Sequence, residues 1–239
     1  MSGIRLSAIN RVLLEEIIQA KSVEGVKPRT VNGVINTVRA VLNKAWKDWE
    51  WIDRIPKFRM LPEPKRRIRF ITREEAERLL RQLPEHLRRM AIFALETGLR
   101  RANVTGLRWN QLDLERRIAW VHPDEAKARK AIAVPLSRTA IAVIRECLGQ
   151  HEESVFTYKG KRVMLTCTNA WANACKRANI EDFRWHDLRH TWASWHVQDG
   201  TPLHVLQELG GWESSEMVRK YAHLTTEHLA SWVERHEGL

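Results

Sequence analysis

The sequence is short of cysteine, tyrosine and acidic residues and has no long apolar run, and each shortage closes off a class of function. Cys147, Cys167 and Cys175 are odd in number and form no CxxC pair, which argues against a disulfide framework and against a zinc ribbon. They read as buried free thiols in a reducing compartment. No stretch approaches the roughly 18 apolar residues of a membrane span, and the first residues lack the apolar centre of a signal peptide, so a cytoplasmic protein is expected. Asp and Glu number 29 against 40 Lys and Arg, and the formal net charge of +11 favours a polyanionic partner. With only two tyrosines, Tyr158 and Tyr221, any chemistry needing a phenol nucleophile has almost no choice of residue.

What is present has a clear distribution. Residues 1–69 carry 15 Lys and Arg against 7 Asp and Glu, so most of the net positive charge of the 239 residues sits in the first third. A basic segment attached to a near-balanced remainder suggests a nucleic-acid-gripping module joined to a part with another job. Helical spacing of apolar residues runs from Leu6 to Ala20, with Ser7 near the start as a cap, and again from Thr30 to Trp49. The polar face of the second run holds Arg29, Asn32, Asn36, Arg39, Lys44 and Lys47, as expected of a helix laid along a phosphate backbone. Two helices are few for an independent domain, so residues 1–62 read as a partial helical DNA-binding segment. Residues Ile55 to Arg69 hold three prolines and the cluster Lys65-Arg66-Arg67-Ile68-Arg69 and make the best linker candidate, with the basic linker proper at 63–70. The second domain is expected over 71–239.

That second part opens on a capping box, Thr72 to Glu75, followed by helical runs to Gln82 and from Glu85 to Glu96, the latter closed by Thr97-Gly98. Ile118 to Val121 and Ala131 to Val134 read as a β-hairpin with a Lys-rich tip, and Val155-Phe156-Thr157 as its third strand. Helical spacing returns at 137–148 and over most of 167–237. The fold class is therefore mainly α with a small antiparallel three-stranded sheet.

The stretch from Trp185 to His223 is the chemically dense one. As a helix, His186, Arg189 and His190 project from one face at i, i+3 and i+4. Two histidines four apart also admit a zinc-hydrolase reading, although Asp187 replaces the general-base glutamate of that motif and no third ligand stands at a familiar spacing.

The order of several short boxes resembles the tyrosine recombinase, or phage integrase, family. Thr97-Gly98-Leu99-Arg100 followed by Gly106-Leu107-Arg108-Trp109 matches the first box and places a catalytic arginine at Arg100. Lys127, eight residues before Pro135, falls where the family carries a hairpin lysine. His186-Asp187-Leu188-Arg189-His190-Thr191 matches the second box, Leu209-Gly210-Gly211-Trp212 the third, and Tyr221, nine residues after Trp212, stands at the nucleophile's position. Each box alone is weak; their order at these distances is specific over about residues 72–225. Asn103 stands where many members have an acidic residue, and Trp212 where histidine is commonest.

The resemblance implies a DNA-cleaving and rejoining site-specific recombinase encoded by a bacterium or phage. It implies catalytic residues Arg100, Lys127, His186, Arg189, Trp212 and Tyr221, a 3′-phosphotyrosine intermediate, and no cofactor or metal. Candidate DNA contacts are Arg29, Arg39, Lys44, Lys65, Arg66, Arg67 and Arg69. Expected partners are double-stranded DNA carrying recombination sites, sister subunits in a tetramer docked through the amphipathic tail 226–237, and accessory DNA-bending or directionality proteins. A non-catalytic DNA-binding remnant of a truncated integrase is the alternative.

Overall fold

The computed structural model describes residues 3–63, 68–121 and 132–224, in two compact units, Met1–Arg67 and Ile68–Leu239. The division falls inside the basic stretch 63–70.

In the first unit Leu6–Ala8 is a single 3-10 turn, and α1 (Arg11–Val23) starts only after Asn10, whose side chain accepts a hydrogen bond from the Leu13 N–H. Asn10 therefore caps the helix in place of Ser7. Pro28 occupies the first turn of α2 (Pro28–Lys47), where its missing N–H costs nothing. Leu14, Ile18, Val31 and Ile35 form the shared core, with Phe58, Met60 and Leu61 packed against it. The proline-rich stretch thus begins as part of this core instead of as a solvated linker. Asn32 corrects the sequence reading most sharply: it is buried, donates to the Leu61 carbonyl at 2.9 Å and to Glu63 at 2.7 Å, and accepts from the Leu61 N–H at 2.8 Å. Its amide latches the extended chain onto α2 and is not presented to a phosphate backbone.

The second unit opens with the expected capping box. The Glu75 N–H donates to the Thr72 hydroxyl and the Thr72 N–H to the Glu75 carboxylate, starting α3 (Arg73–Gln82). Then come α4 (Glu85–Thr97) and α5 (Arg101–Thr105), and the sheet of β1 (Leu112–Asp113), β2 (Ile118–Val121) and β3 (Ile132–Pro135), antiparallel in the order β1-β2-β3. Next are α6 (Arg138–Arg145), a separate ribbon of β4 (Thr157–Tyr158) and β5 (Lys161–Arg162), α7 (Asn169–Arg177), α8 (Asp187–Gln198), α9 (Leu203–Gly210), α10 (Glu216–Arg219) and a 3-10 turn, Ala222–Leu224. The class is as expected, but the third strand is β1 and not Val155–Thr157. Val155 donates to the Leu107 carbonyl, and Thr157 turns back on Arg162. A three-residue apolar run cannot announce its partner, whereas β1 is fixed by a tight turn in which Asp113 accepts from the Arg116 N–H and Arg117 takes φ +56°.

Helix α4 buries seven of its 13 residues and packs on both α6 and α8. A second cluster, Trp192, Val197, Leu206, Trp212, Val218 and Tyr221, ties α8 to α9 and α10 and supports the residues described next.

Candidate active site

The turn between α4 and α5 and the first half of α8 meet beside the Gly210–Trp212 corner. Gly98 ends α4 at φ +62°, and a Cβ there would lie 2.2 Å from the Trp192 ring. Glycine is required for both reasons, since it alone adopts this backbone cheaply and lets α8 approach. Gly98→Ala should therefore destabilise the protein by about 2–4 kcal/mol from the left-handed backbone and the overlap with Trp192. Urea unfolding checks this, and an unchanged midpoint would refute it.

The approach brings Arg189 of α8 under the turn. Its guanidinium donates to the Gly98 carbonyl, and at 2.6 Å to the Gly210 carbonyl, while its plane lies 4.3 Å over the Trp212 ring. Burial, and then the charge of Arg100, pulls its pKa down to about 10. Arg100 precedes α5 and is half-buried, its pKa lowered by burial with Glu213 partly opposing. Among the described residues neither arginine forms an ion pair with a carboxylate. Two desolvated guanidinium groups within reach of each other's charge, with no carboxylate at salt-bridge distance among the described residues, make a site for an incoming anion.

His186 stands at the N-cap of α8, its pKa lowered first by burial and next by Arg189, which favours the uncharged ring. Asp187 accepts from the Arg184 N–H at 2.7 Å and fixes the entry to the helix. Tyr221 is fully buried; its ring lies 6.0 Å from that of Trp212, and its hydroxyl pairs with His190 Nδ1 at 2.6 Å. Burial raises the phenol's pKa, and Arg189 partly offsets this.

Arg100, His186, Arg189, Trp212 and Tyr221 are thus drawn to one place, linked by direct contact or by the reach of their charges. Lys127 lies outside the described residues, as do Lys65, Arg66, Arg67 and the tail 226–237. Trp212 offers its ring face to Arg189. Asn103 is buried, and its backbone N–H donates to the Arg100 carbonyl. Of the other candidate DNA contacts, Arg29 is exposed and 3.7 Å from Glu63, Arg39 lies over Phe58, and Lys44 lies over Trp49. Arg69 is turned onto the Phe70 and Glu181 carbonyls.

Two residues that the sequence reading did not place at the site stand there: His190, on the hydroxyl of Tyr221, and Lys220, whose ammonium is 4.9 Å from the Tyr221 ring. The spacing of His190 behind His186 was visible, but nothing local tied it to a residue 31 positions away. As for zinc, Nδ1 of His190 is already taken by a phenol, and among the described residues no three His, Cys, Asp or Glu side chains are grouped to hold a metal. No described helix is long and apolar enough to cross a membrane.

Comparison with known proteins gives the family and the fold. Residues 69–228 match the model of the phage integrase family. The chain is 45% identical over 209 residues to the integrase of Salmonella phage P22, covering 82% of this chain and 54% of that protein. It is 35% identical over 170 residues to the shufflon-specific DNA recombinase of Escherichia coli, covering 69% and 42%. It spans about half the length of these relatives. Among solved structures, the Tn1549 transposon integrase in complex with transposon right end DNA superposes with TM-score 0.75 at 18% identity, covering 97% of this chain and 87% of that one. The catalytic domain of bacteriophage HP1 integrase gives 0.54 at 26% identity, covering 70% and 95%.

Proposed function

The chain belongs to the phage integrase family of tyrosine recombinases, and from that membership and the site geometry we propose that it cleaves and rejoins DNA at specific sites through a 3′-phosphotyrosine intermediate. The observation that carries this reading is the buried, uncompensated Arg189 beside the phenol of Tyr221.

Attack on a phosphodiester passes through a five-coordinate phosphorus whose non-bridging oxygens gather negative charge. Arg100 and Arg189 supply fork-shaped donors to those oxygens in a dry pocket, where each is worth more than in water. The carbonyls of Gly98 and Gly210 hold the Arg189 guanidinium in advance of substrate, so little reorganisation is left for the reaction. His186, neutral before DNA arrives, and the Trp212 indole N–H offer further donors. Tyr221 supplies the attacking oxygen, and Lys127 is proposed as the acid for the departing 5′-oxygen. The phosphotyrosine bond conserves the energy of the broken linkage, and a 5′-hydroxyl from a second duplex can reverse the attack.

The same reading assigns double-stranded DNA as partner, with the basic residues Arg29, Arg39 and Lys44 of the first unit and Lys65, Arg66, Arg67 and Arg69 of the linker gripping its backbone. It also assigns assembly of sister subunits into a tetramer through the 226–237 tail, with accessory bending or directionality proteins. Incubation with nicked duplexes, followed by denaturation and proteolysis, should yield a phosphonucleotide on the peptide containing residue 221. DNA binding with no covalent species would return the non-catalytic reading.

A further inference from the structure

The reaction as described leaves one proton without an acceptor, the phenol's own. Tyr221 is fully buried, and burial raises its pKa, so a bare phenolate is costly there. Its hydroxyl lies 2.6 Å from Nδ1 of His190, with the ring centroids 5.9 Å apart. His190 is one turn along α8 from His186, whose ring it meets edge to face at 5.1 Å. The hydroxyl's histidine partner is therefore His190, in the second box but not among the residues to which the family resemblance assigned chemistry.

We propose that His190, through Nδ1, orients the Tyr221 hydroxyl and takes its proton as the phenol attacks the scissile phosphate. This rests on the reading of Tyr221 as the nucleophile. Nδ1 accepts only in the neutral ring with its proton on Nε2. Of the charged groups around the pair, Arg189 on α8 faces the phenol and Lys220 stands 4.9 Å from its ring; after burial, the charges of Arg189, Lys220 and Arg100 also lower the pKa of neighbouring His186. Asp187 is the carboxylate within electrostatic reach of both His186 and Tyr221. An arriving phosphate neutralises part of the arginine charge and makes a protonated His190 less costly, so the base becomes effective once substrate is bound.

The step balances without a further reagent. The Tyr221 O–H bond breaks, its proton passes to Nδ1, and the oxygen lone pair forms the new O–P bond. The P–O5′ bond then breaks, and the leaving oxygen takes a proton from a separate acid, for which Lys127 is proposed. In rejoining, the 5′-hydroxyl returns its proton to the now-neutral acid, for which Lys127 is proposed, and attacks phosphorus; the phenolate departs and takes back the proton on Nδ1.

The test uses His190→Asn, which keeps an amide acceptor near the Nδ1 position but cannot take a proton. The substrates are nicked duplexes that the parent protein itself captures covalently from a random-sequence pool. Single-turnover cleavage by His190→Asn should fall about a hundredfold or more with DNA affinity unchanged. Its rate should climb steadily with pH, without the imidazole limb of the parent profile. Replacing Tyr221 with a fluorinated tyrosine of lower pKa should restore much of the lost rate in the His190→Asn protein. Parent-like rates and pH profile in His190→Asn, with no adduct from Tyr221→Phe, would overturn the role of His190 alone. A rate loss that tracks weakened folding or DNA affinity and is not rescued by the fluorotyrosine would also overturn it. Adducts from Tyr221→Phe, or a parent that captures no duplex, would remove the nucleophile and the base together.

Discussion

Phenylalanine at position 221 is expected to abolish the covalent DNA adduct while leaving the fold and DNA binding in place. The ring still fills the pocket against Trp212, Val218 and Leu206, so the apolar contacts survive. What is lost is the hydroxyl and its bond to His190, a cost of about 1–2 kcal/mol for a buried neutral pair. Tyr158, the other tyrosine, is half-exposed on β4 beside His86, in a different part of the unit, and cannot substitute. The measurement is SDS-resistant protein–DNA complex formation by parent and variant on the same nicked duplex. Equal adduct formation would show that Tyr221 is not the nucleophile. The variant should also differ at alkaline pH. Because the folded phenol's pKa is raised, the unfolded chain releases this proton first, and stability falls as pH climbs past about 10. Tyr221→Phe should lack that share of the alkaline decline in a melting series.

Lysine at position 189 should slow single-turnover cleavage by about two to three orders of magnitude, with DNA affinity changed far less. The native guanidinium donates to the Gly98 and Gly210 carbonyls and still has N–H groups for a phosphate, in one rigid plane stacked on Trp212. An ammonium keeps the charge but has three donors and no plane, so it cannot satisfy both carbonyls and clamp a phosphate in fixed geometry. Each carbonyl left unpaired in this buried place costs about 1–3 kcal/mol, so a lower melting temperature is expected alongside the slower cleavage. Arg189→Ala should be worse on both counts, because it also empties the space beneath Trp212. Cleavage by Arg189→Lys within a few-fold of the parent would show that the fork does not grip the phosphate. Arg100→Ala supplies the comparison. Arg100 is half-buried and, among the described residues, makes no such carbonyl clamp, so its loss should slow cleavage by about two orders of magnitude with little change in stability.

Much of the fold was legible because its signals are local. Helical periodicity located α2, α3, α4, α6 and α8 to within a few residues, and the Thr72–Glu75 reciprocal cap and the Gly98 stop are written into adjacent positions. Where local signals were weak the reading slipped. Val155–Thr157 pairs outside the main sheet, Asn10 and not Ser7 caps α1, and Asn32 faces inward.

The amino-acid order by itself determined which residue types the site contains, since the boxes around Arg100, His186, Arg189, Trp212 and Tyr221 occur in a specific succession. It could not determine what each side chain touches. Arg189 is clamped by carbonyls 91 and 21 positions away, and Tyr221 is held by a histidine 31 positions away. Such pairs leave no trace in any window of the chain, because a hydrogen bond across two packed helices depends on how closely their backbones approach. That approach is set by Gly98 and Gly210, where a single Cβ would collide with Trp192 and Trp212. Packing thus turned a cluster of candidate residues into one place where two arginines share an electrostatic neighbourhood and a buried phenol is in contact with a histidine.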